Sequence, residues 1–248
     1  MTESHANLHA PFDEERLGRA LQLARVGLIV FMVAIVTAIA ISWSWFSPAN
    51  SFLSELGCFN GAFDVAAWLF TLGLGFFGVT MFWLFHVISR LGPHVPNGLR
   101  VCAVANQAAG VALVMVGVTP FDVLYKTHVV AMSAWLVLMV AALVGWLDWI
   151  RTQTQREGSR LARYVTFAVG LYPVACLLSL GPLLQKFIVV MAIGWLGYFF
   201  GQIDDAMTRG EVRAWLRARD YKSPRPHGEG KRRRPTIRYV ESPRSDDS

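Results

Sequence analysis

Apolar residues occupy six long blocks of the chain, and short polar stretches separate these blocks. A helix needs about 20 mostly apolar residues to cross a bilayer, whereas a membrane-spanning strand needs about ten with period-two alternation, which the blocks lack. The pattern therefore predicts an all-α polytopic membrane protein, a bundle of six transmembrane helices. The expected spans are 26–45, 63–88, 101–119, 128–150, 164–184 and 187–203.

The segments that flank these spans are polar. Residues 1–25 form a leader without the short basic start and small-residue cleavage site of a signal peptide, so we expect the first span to be retained. Residues 204–221 predict an amphipathic helix, and residues 222–248 predict a disordered basic tail rich in Pro, Gly, Ser and Arg. The apolar positions of the amphipathic helix are Met207, Val212, Trp215 and Leu216.

Positive charge is unevenly distributed between the connecting segments. Of the 23 lysine and arginine residues, all but Lys126 and Lys186 lie in the leader, the even-numbered loops and the tail. Because positive charge stays on the cytoplasmic side, both termini are expected in the cytoplasm. The basic run at 231–234 is attracted to anionic lipid headgroups by about 1 kcal/mol per residue, which favours membrane lipids over nucleic acid as its partner.

Composition supports the membrane class and excludes several others. Hydrophobic residues make up 54% of the chain and charged residues 16%, against about 25% charged in soluble domains. The cysteines Cys58, Cys102 and Cys176 show no metal-binding or CxxC spacing, which argues against a disulfide scaffold or zinc finger. The sequence contains no Walker A loop, HExxH or GxSxG motif. We therefore expect no cofactor and no metal.

The predicted spans contain glycines and few ionisable groups. Acidic or histidine residues through the interior are typical of proton pumps and ion-coupled transporters, so their scarcity counts against that class. Glycine lets helices approach closely, and glycine-rich faces also allow association between copies of the chain. The glycines concerned are Gly73, Gly75 and Gly78 in the second span and Gly194, Gly197 and Gly201 in the sixth.

Polar residues gather instead in the three short loops that face outward. These candidate ligand-binding residues are Ser54, Glu55, Asn60, Asp64, Asp122, Lys126, His128 and Lys186. In one interpretation they cap helix ends and pin the loops through ion pairs such as Glu55 with Lys186. In the other, the two lysines meet a lipid headgroup or small anion while carboxylates orient it.

Two other functions are compatible with these residues. An intramembrane hydrolase of lipid or amide bonds would use His128 with a carboxylate, as in a Ser54–His128–Asp122 set, but no nucleophile-elbow motif supports it. A transporter or channel subunit would require a water-filled central cavity. Zinc takes three or four ligands, and His128 is the one histidine expected on this face. The favoured hypothesis is a non-catalytic protein, and no catalytic residue is assigned.

Several short motifs carry a resemblance to a known family. Ser54-Glu55-Leu56-Gly57, Phe59-Asn60-Gly61, Gly117-x-x-Pro120 followed by His128, and Gln185-Lys186 resemble the prokaryotic membrane family called domain of unknown function 998 (DUF998) over about residues 25–205. The chain is more distantly similar to the Frag/DRAM/Sfk group of six-span proteins. The resemblance implies a prokaryotic cytoplasmic membrane and a role in lipid organisation, and it implies no reaction. Lysine at 186 replaces the family's arginine, which weakens bidentate binding of an anion there.

Overall fold

Every element of the described chain is helical. A computed structural model describes residues 10–47, 50–58, 64–92, 95–120, 122–152, 182–213 and 215. Five α-helices and one 3₁₀ helix follow in chain order: α1 (Ala10–Ile41), the 3₁₀ helix (Leu53–Gly57), α2 (Val65–Arg90), α3 (Asn97–Val118), α4 (Tyr125–Thr152) and α5 (Pro182–Thr208). The prediction of an all-α chain without strands is confirmed for these residues.

In the part of the chain that the structure describes, four helices are long and apolar enough to cross a membrane. They are Glu14–Ile41, Val65–Arg90, Asn97–Val118 and Tyr125–Ile150. Their outer surfaces carry exposed apolar side chains, such as Val33 on α1, Leu72 on α2 and Val137 on α4. In water such a surface would be unfavourable, whereas hydrocarbon accepts it. The structure therefore agrees with an integral, multi-pass membrane protein.

The predicted spans and the observed helices differ at their ends. Helix α1 begins at Ala10, well before the span predicted at 26–45, because Leu17, Ala20, Leu21 and Ala24 follow helical spacing and are buried. Most of the fifth expected span, 164–184, lies outside the described residues. The sixth, 187–203, lies within α5.

Helices α1 to α4 pack in sequence, each against the next, and glycines mark their closest approaches. A Cβ atom placed on Gly78 of α2 would lie 2.7 Å from the carbonyl oxygen of Gly110 on α3. Gly98 of α3 and Gly145 of α4 meet in the same way, with a distance of 2.6 Å. No side chain fits at these positions, so the sequence requires glycine there. The predicted glycine Gly73 is also closely packed. Among the described residues, a Cβ added to Gly75 of α2 or to Gly194, Gly197 or Gly201 of α5 would meet nothing within 4 Å.

An aromatic cluster fills the half of the bundle distant from the 3₁₀ helix. The Trp146 ring of α4 lies 6.0 Å from Trp195 and 5.0 Å from Phe199, both on α5. Phe85 of α2 contacts Phe199 with ring centroids 5.2 Å apart. All four side chains are fully buried. Large rings in contact at these distances account for the dense packing of this half.

Two ion pairs connect α1 to the end of the described chain. Arg25 of α1 donates to Asp204 of α5 at 2.9 Å, and Arg213 donates to Glu14 at 2.7 Å. Both pairs are partly exposed to solvent, and such pairs contribute about 0–1 kcal/mol each. They fix the position of the C-terminal segment more than they stabilise the fold.

The segment predicted as an amphipathic helix at 204–221 is interrupted. Helix α5 ends beside Gly210, whose φ of +73° is a left-handed conformation that favours glycine at helix ends. Residues 211–213 are again helical, and Val212 and Trp215 are buried. The predicted apolar position Leu216 lies outside the described residues, as does the tail at 222–248.

Candidate functional site

The predicted site residues that the structure describes lie at the end of the bundle that carries the 3₁₀ helix. We call this end the rim and define it as the described residues among 46–64, 119–128 and 182–186. Helix α1 ends below it, α2 and α4 begin from it, and α5 approaches it with its first turns. The 3₁₀ helix contacts both α2 and α5.

The 3₁₀ helix is held across the rim by a carboxylate and by close packing. The Oε1 atom of Glu55 accepts a hydrogen bond from the backbone N–H of Phe52 at 2.9 Å. Leu56 is fully buried, and a Cβ on Gly57 would lie 3.0 Å from the Phe70 ring of α2. The 3₁₀ helix can therefore lie directly on α2 because residue 57 has no side chain.

Asp64 initiates α2. Its Oδ1 atom accepts hydrogen bonds from the backbone N–H groups of Ala66 at 2.9 Å and Ala67 at 3.2 Å. Aspartate is among the preferred N-cap residues because it satisfies N–H groups that have no partner within the helix, and its charge also favours the positive end of the helix dipole. The contacts of Asp64 and Glu55 are thus of the helix-capping kind.

Lys186 connects α5 to the loop between α1 and α2. Its Nζ atom donates to the backbone carbonyls of Ser51 and Pro182. The ammonium group lies 5.4 Å from the centre of the Phe46 ring, within the range of a cation–π interaction. Lys186 precedes the expected span 187–203. Burial lowers the pKa of Lys186, and the carboxylate of Glu55 opposes this effect.

Cys58 lies among the rim carboxylates, and the sequence prediction did not select it. Its thiol contacts the backbone carbonyl of Ser54 at 4.0 Å. Burial raises the pKa of the Cys58 thiol, and the negative charges of Asp122, Glu55 and Asp64 raise it further, although a backbone hydrogen bond from Asp122 lowers it. The structure thus places three predicted carboxylates from two separate loops where their charges act on one thiol. Its position between Glu55 and Asp64 in the sequence was the signal that could have identified Cys58 as a site residue.

His128 is a buried residue of the rim, in the first turn of α4. It is 3% exposed, and its Nδ1 atom donates to the backbone carbonyl of Thr119 at 2.7 Å. Thr119 is the C-cap residue of α3, and its own hydroxyl donates to the Met115 carbonyl at 2.6 Å. The imidazole therefore ties the end of α3 to the first turns of α4.

The remaining predicted residues differ in their surroundings. Asp122 and Lys126 are exposed in the connection between α3 and α4 and at the start of α4. Ser54 is half-buried and faces the interior of the bundle, whereas Asn60 lies outside the described residues. Among the described residues, no three His, Cys, Asp or Glu side chains come together in a group that could hold a metal ion.

An apolar cavity opens below the 3₁₀ helix. Its volume is about 100 Å³, and it extends between all five α-helices. Leu53 and Ser54 of the 3₁₀ helix lie at its rim end, and Met81 of α2 and Asn106 of α3 lie at its deep end. One predicted site residue, Ser54, therefore borders on an internal space that the sequence pattern did not indicate.

Comparisons with known proteins do not assign the chain to a family. No family model, curated protein or solved structure matches the chain. The DUF998 resemblance therefore stays a prediction from the motifs at the rim, and function has to be argued from the site itself.

Proposed function

We propose that the chain is a non-catalytic integral membrane protein that binds a lipid headgroup or a small anionic ligand at the rim. The observation that carries this proposal is the position of Lys186, a partly desolvated ammonium group at the end of an apolar bundle. A cation removed from water interacts more strongly with an anion than a fully hydrated one does, because the local dielectric constant is lower. A headgroup phosphate or carboxylate has the required charge.

The arrangement of the carboxylates supports the same proposal. The carboxylates of Glu55 and Asp64 accept hydrogen bonds from backbone N–H groups, which partly balances their negative charge. An ammonium group has three donors, and Lys186 directs two of them to backbone carbonyls. We infer that the third donor reaches a ligand oxygen and that the exposed Lys126 adds positive charge nearby.

The proposal includes six spans with both termini in the cytoplasm of a prokaryotic cell, so that the rim faces outward. The distribution of lysine and arginine supports this orientation. Helix α5, with 27 residues, supports the sixth span because about 20 suffice to cross a bilayer. Membership of the DUF998 family, lipid contacts of the basic tail and association through glycine-rich faces belong to the same proposal, on sequence grounds alone.

The test is a lipid-retention measurement on Lys186→Met, which removes the charge and keeps an apolar side chain beside Phe46. Protein purified from phosphatidylglycerol-containing nanodiscs is analysed by native mass spectrometry. We expect the variant to retain at least ten-fold less lipid than the wild-type chain does.

The control is Arg19→Met, which removes a positive charge at the opposite end of the bundle, where Arg19 is exposed and lies 3.7 Å from Glu15. This variant should retain lipid as the wild type does. Equal retention by Lys186→Met and Arg19→Met would remove Lys186 from any site and overturn the proposal. A thermal unfolding curve for each variant separates loss of binding from loss of fold.

The hydrolase and transporter hypotheses receive less support. The cavity walls are mainly apolar, which does not favour the water-filled path of a transporter. A hydrolase would need His128 for catalysis. Its Nδ1 atom instead donates to a backbone carbonyl, and this bond gives the imidazole a structural role.

A further inference from the structure

The residues that line the cavity extend over a long stretch of the bundle. Its wall on α2 runs from Phe70 to Met81, which is about 16 Å along the helix axis at 1.5 Å per residue. Its wall on α3 runs from Val116 down to Asn106, a similar length in the opposite chain direction.

The cavity walls are made almost entirely of hydrocarbon. Aliphatic, aromatic and methionine side chains form most of the lining, with no charged residue among them. Asn106 is the most deeply buried polar residue of the lining, at 2% exposed. Its amide nitrogen donates to the backbone carbonyl of Cys102 at 3.0 Å and approaches the Cys102 sulfur at 3.4 Å. Since these bonds lie within α3, the amide group does not depend on a polar ligand.

A cavity of this kind excludes water and accepts hydrocarbon. A buried water needs two to four polar partners, whereas apolar cavities of about 150 Å³ stay dry and bind apolar molecules. Small side chains keep the space open: Ala109 and Gly110 on α3 and Ala192 on α5 all line it. Larger residues at these positions would fill the volume with the chain's own atoms.

We propose that this cavity is a binding site for the hydrocarbon chain of a bilayer lipid, inserted from the rim past the 3₁₀ helix. The proposal deepens the proposed function and partly rests on it, because the headgroup of the same lipid would lie beside Lys186. It depends on different residues, however, so the two can fail separately. The surrounding bilayer supplies the occupant, and Leu53 and Ser54 border the end through which it enters.

The test uses photocrosslinking in nanodiscs made with phosphatidylcholine that carries a diazirine on one acyl chain. Met81 and Met139 line the cavity and are 4% and 8% exposed, so a crosslink to either requires a chain inside the bundle. We expect crosslinks at both methionines in the wild-type protein. In Ala109→Leu, which fills the cavity, these crosslinks should fall at least ten-fold.

The matched control is Ala108→Leu, the same change one residue earlier on α3, where the side chain is exposed. This variant should keep the wild-type crosslinks at Met81 and Met139. Ala192→Leu, which fills the cavity from α5, repeats the test should Ala109→Leu fail to fold. Crosslinks confined to outward-facing positions such as Val137, or equal interior labelling in filled and control variants, would overturn the proposal.

Lys186→Met separates this site from the rim. Interior crosslinks that persist in Lys186→Met, together with loss of retained phosphatidylglycerol, would leave the chain site standing and show that the headgroup contact is separate. Interior crosslinks that vanish in Ala109→Leu while Lys186→Met retains lipid normally would overturn the headgroup proposal alone.

Discussion

The two halves of the bundle are packed differently although the same helices run through both. Near the rim, the small residues Ala109 and Ala192 face a cavity of about 100 Å³. In the other half, Trp146 on α4 and Trp195 on α5 are fully buried against Phe199. The difference shows that side-chain size, rather than helix spacing alone, decides where this bundle encloses volume.

The largest expected effect tests the filled half directly. Trp146→Ala should destabilise the protein by about 3–5 kcal/mol, because it removes a fully buried aromatic side chain from the centre of the aromatic cluster. Trp135→Ala on the same helix should cost clearly less, because Trp135 is half-buried and already borders the cavity. Reversible denaturant unfolding in detergent micelles gives both values. Equal losses would mean that the two halves are packed to the same density.

A smaller effect tests how the rim is held together. Asp64→Ala should cost about 1 kcal/mol, because two N–H groups at the start of α2 lose their acceptor. Asp64→Asn should restore most of this stability, since asparagine is an equally good N-cap residue. The comparison residue is Asp205 at the opposite end, whose 3.9 Å contact with Arg209 is exposed, so that Asp205→Ala should cost about 0.5 kcal/mol or less. Unfolding curves that rank Asp205→Ala above Asp64→Ala would contradict the capping role.

The smallest effect concerns reactivity at the rim. The raised pKa of Cys58 leaves less thiolate at a given pH, so alkylation by iodoacetamide should be slow near pH 8 and should accelerate as the pH rises. Asp122→Asn should lower this pKa and speed the reaction, because one of the nearby negative charges is removed. Rates are measured by mass spectrometry of the Cys58 peptide, which keeps the other cysteines out of the signal. Asp205→Asn, far from the rim, should leave the rate unchanged, and an unchanged rate in Asp122→Asn would show that Asp122 does not act on the thiol.

Much of the helical architecture was predictable because it follows from local pattern. Apolar blocks of about 20 residues specify helices in a membrane wherever the rest of the chain lies. Gly73 and Gly78 were expected at close helix contacts, and both meet a neighbouring helix. Gly75 lies in the same helix and carries the same local signal, yet a Cβ added to it would meet no described atom within 4 Å, because contact requires a second surface that a glycine cannot specify.

The placement of the described candidate residues at one end of the bundle was predictable, and their hydrogen-bond partners were less so. Loop parity places Glu55, Asp122 and Lys186 at one end, and the structure brings them there. Which groups bond was not predictable: Lys186 binds the backbone carbonyl of Ser51, a group that every residue has and no motif encodes. Cys58 joined the cluster for the same reason, because its proximity to Asp122 depends on how two loops fold together.

The sequence by itself determined that this chain forms long apolar helices, and its charge distribution predicts their orientation. Both follow from the free energy of transferring each segment from water into the bilayer, which depends on the residues of that segment alone. Tertiary structure alone decided that the rim has capped carboxylates around a thiol and that an apolar cavity lies beneath it. A cavity is the space left between side chains from several helices, so it exists only once their relative positions are fixed.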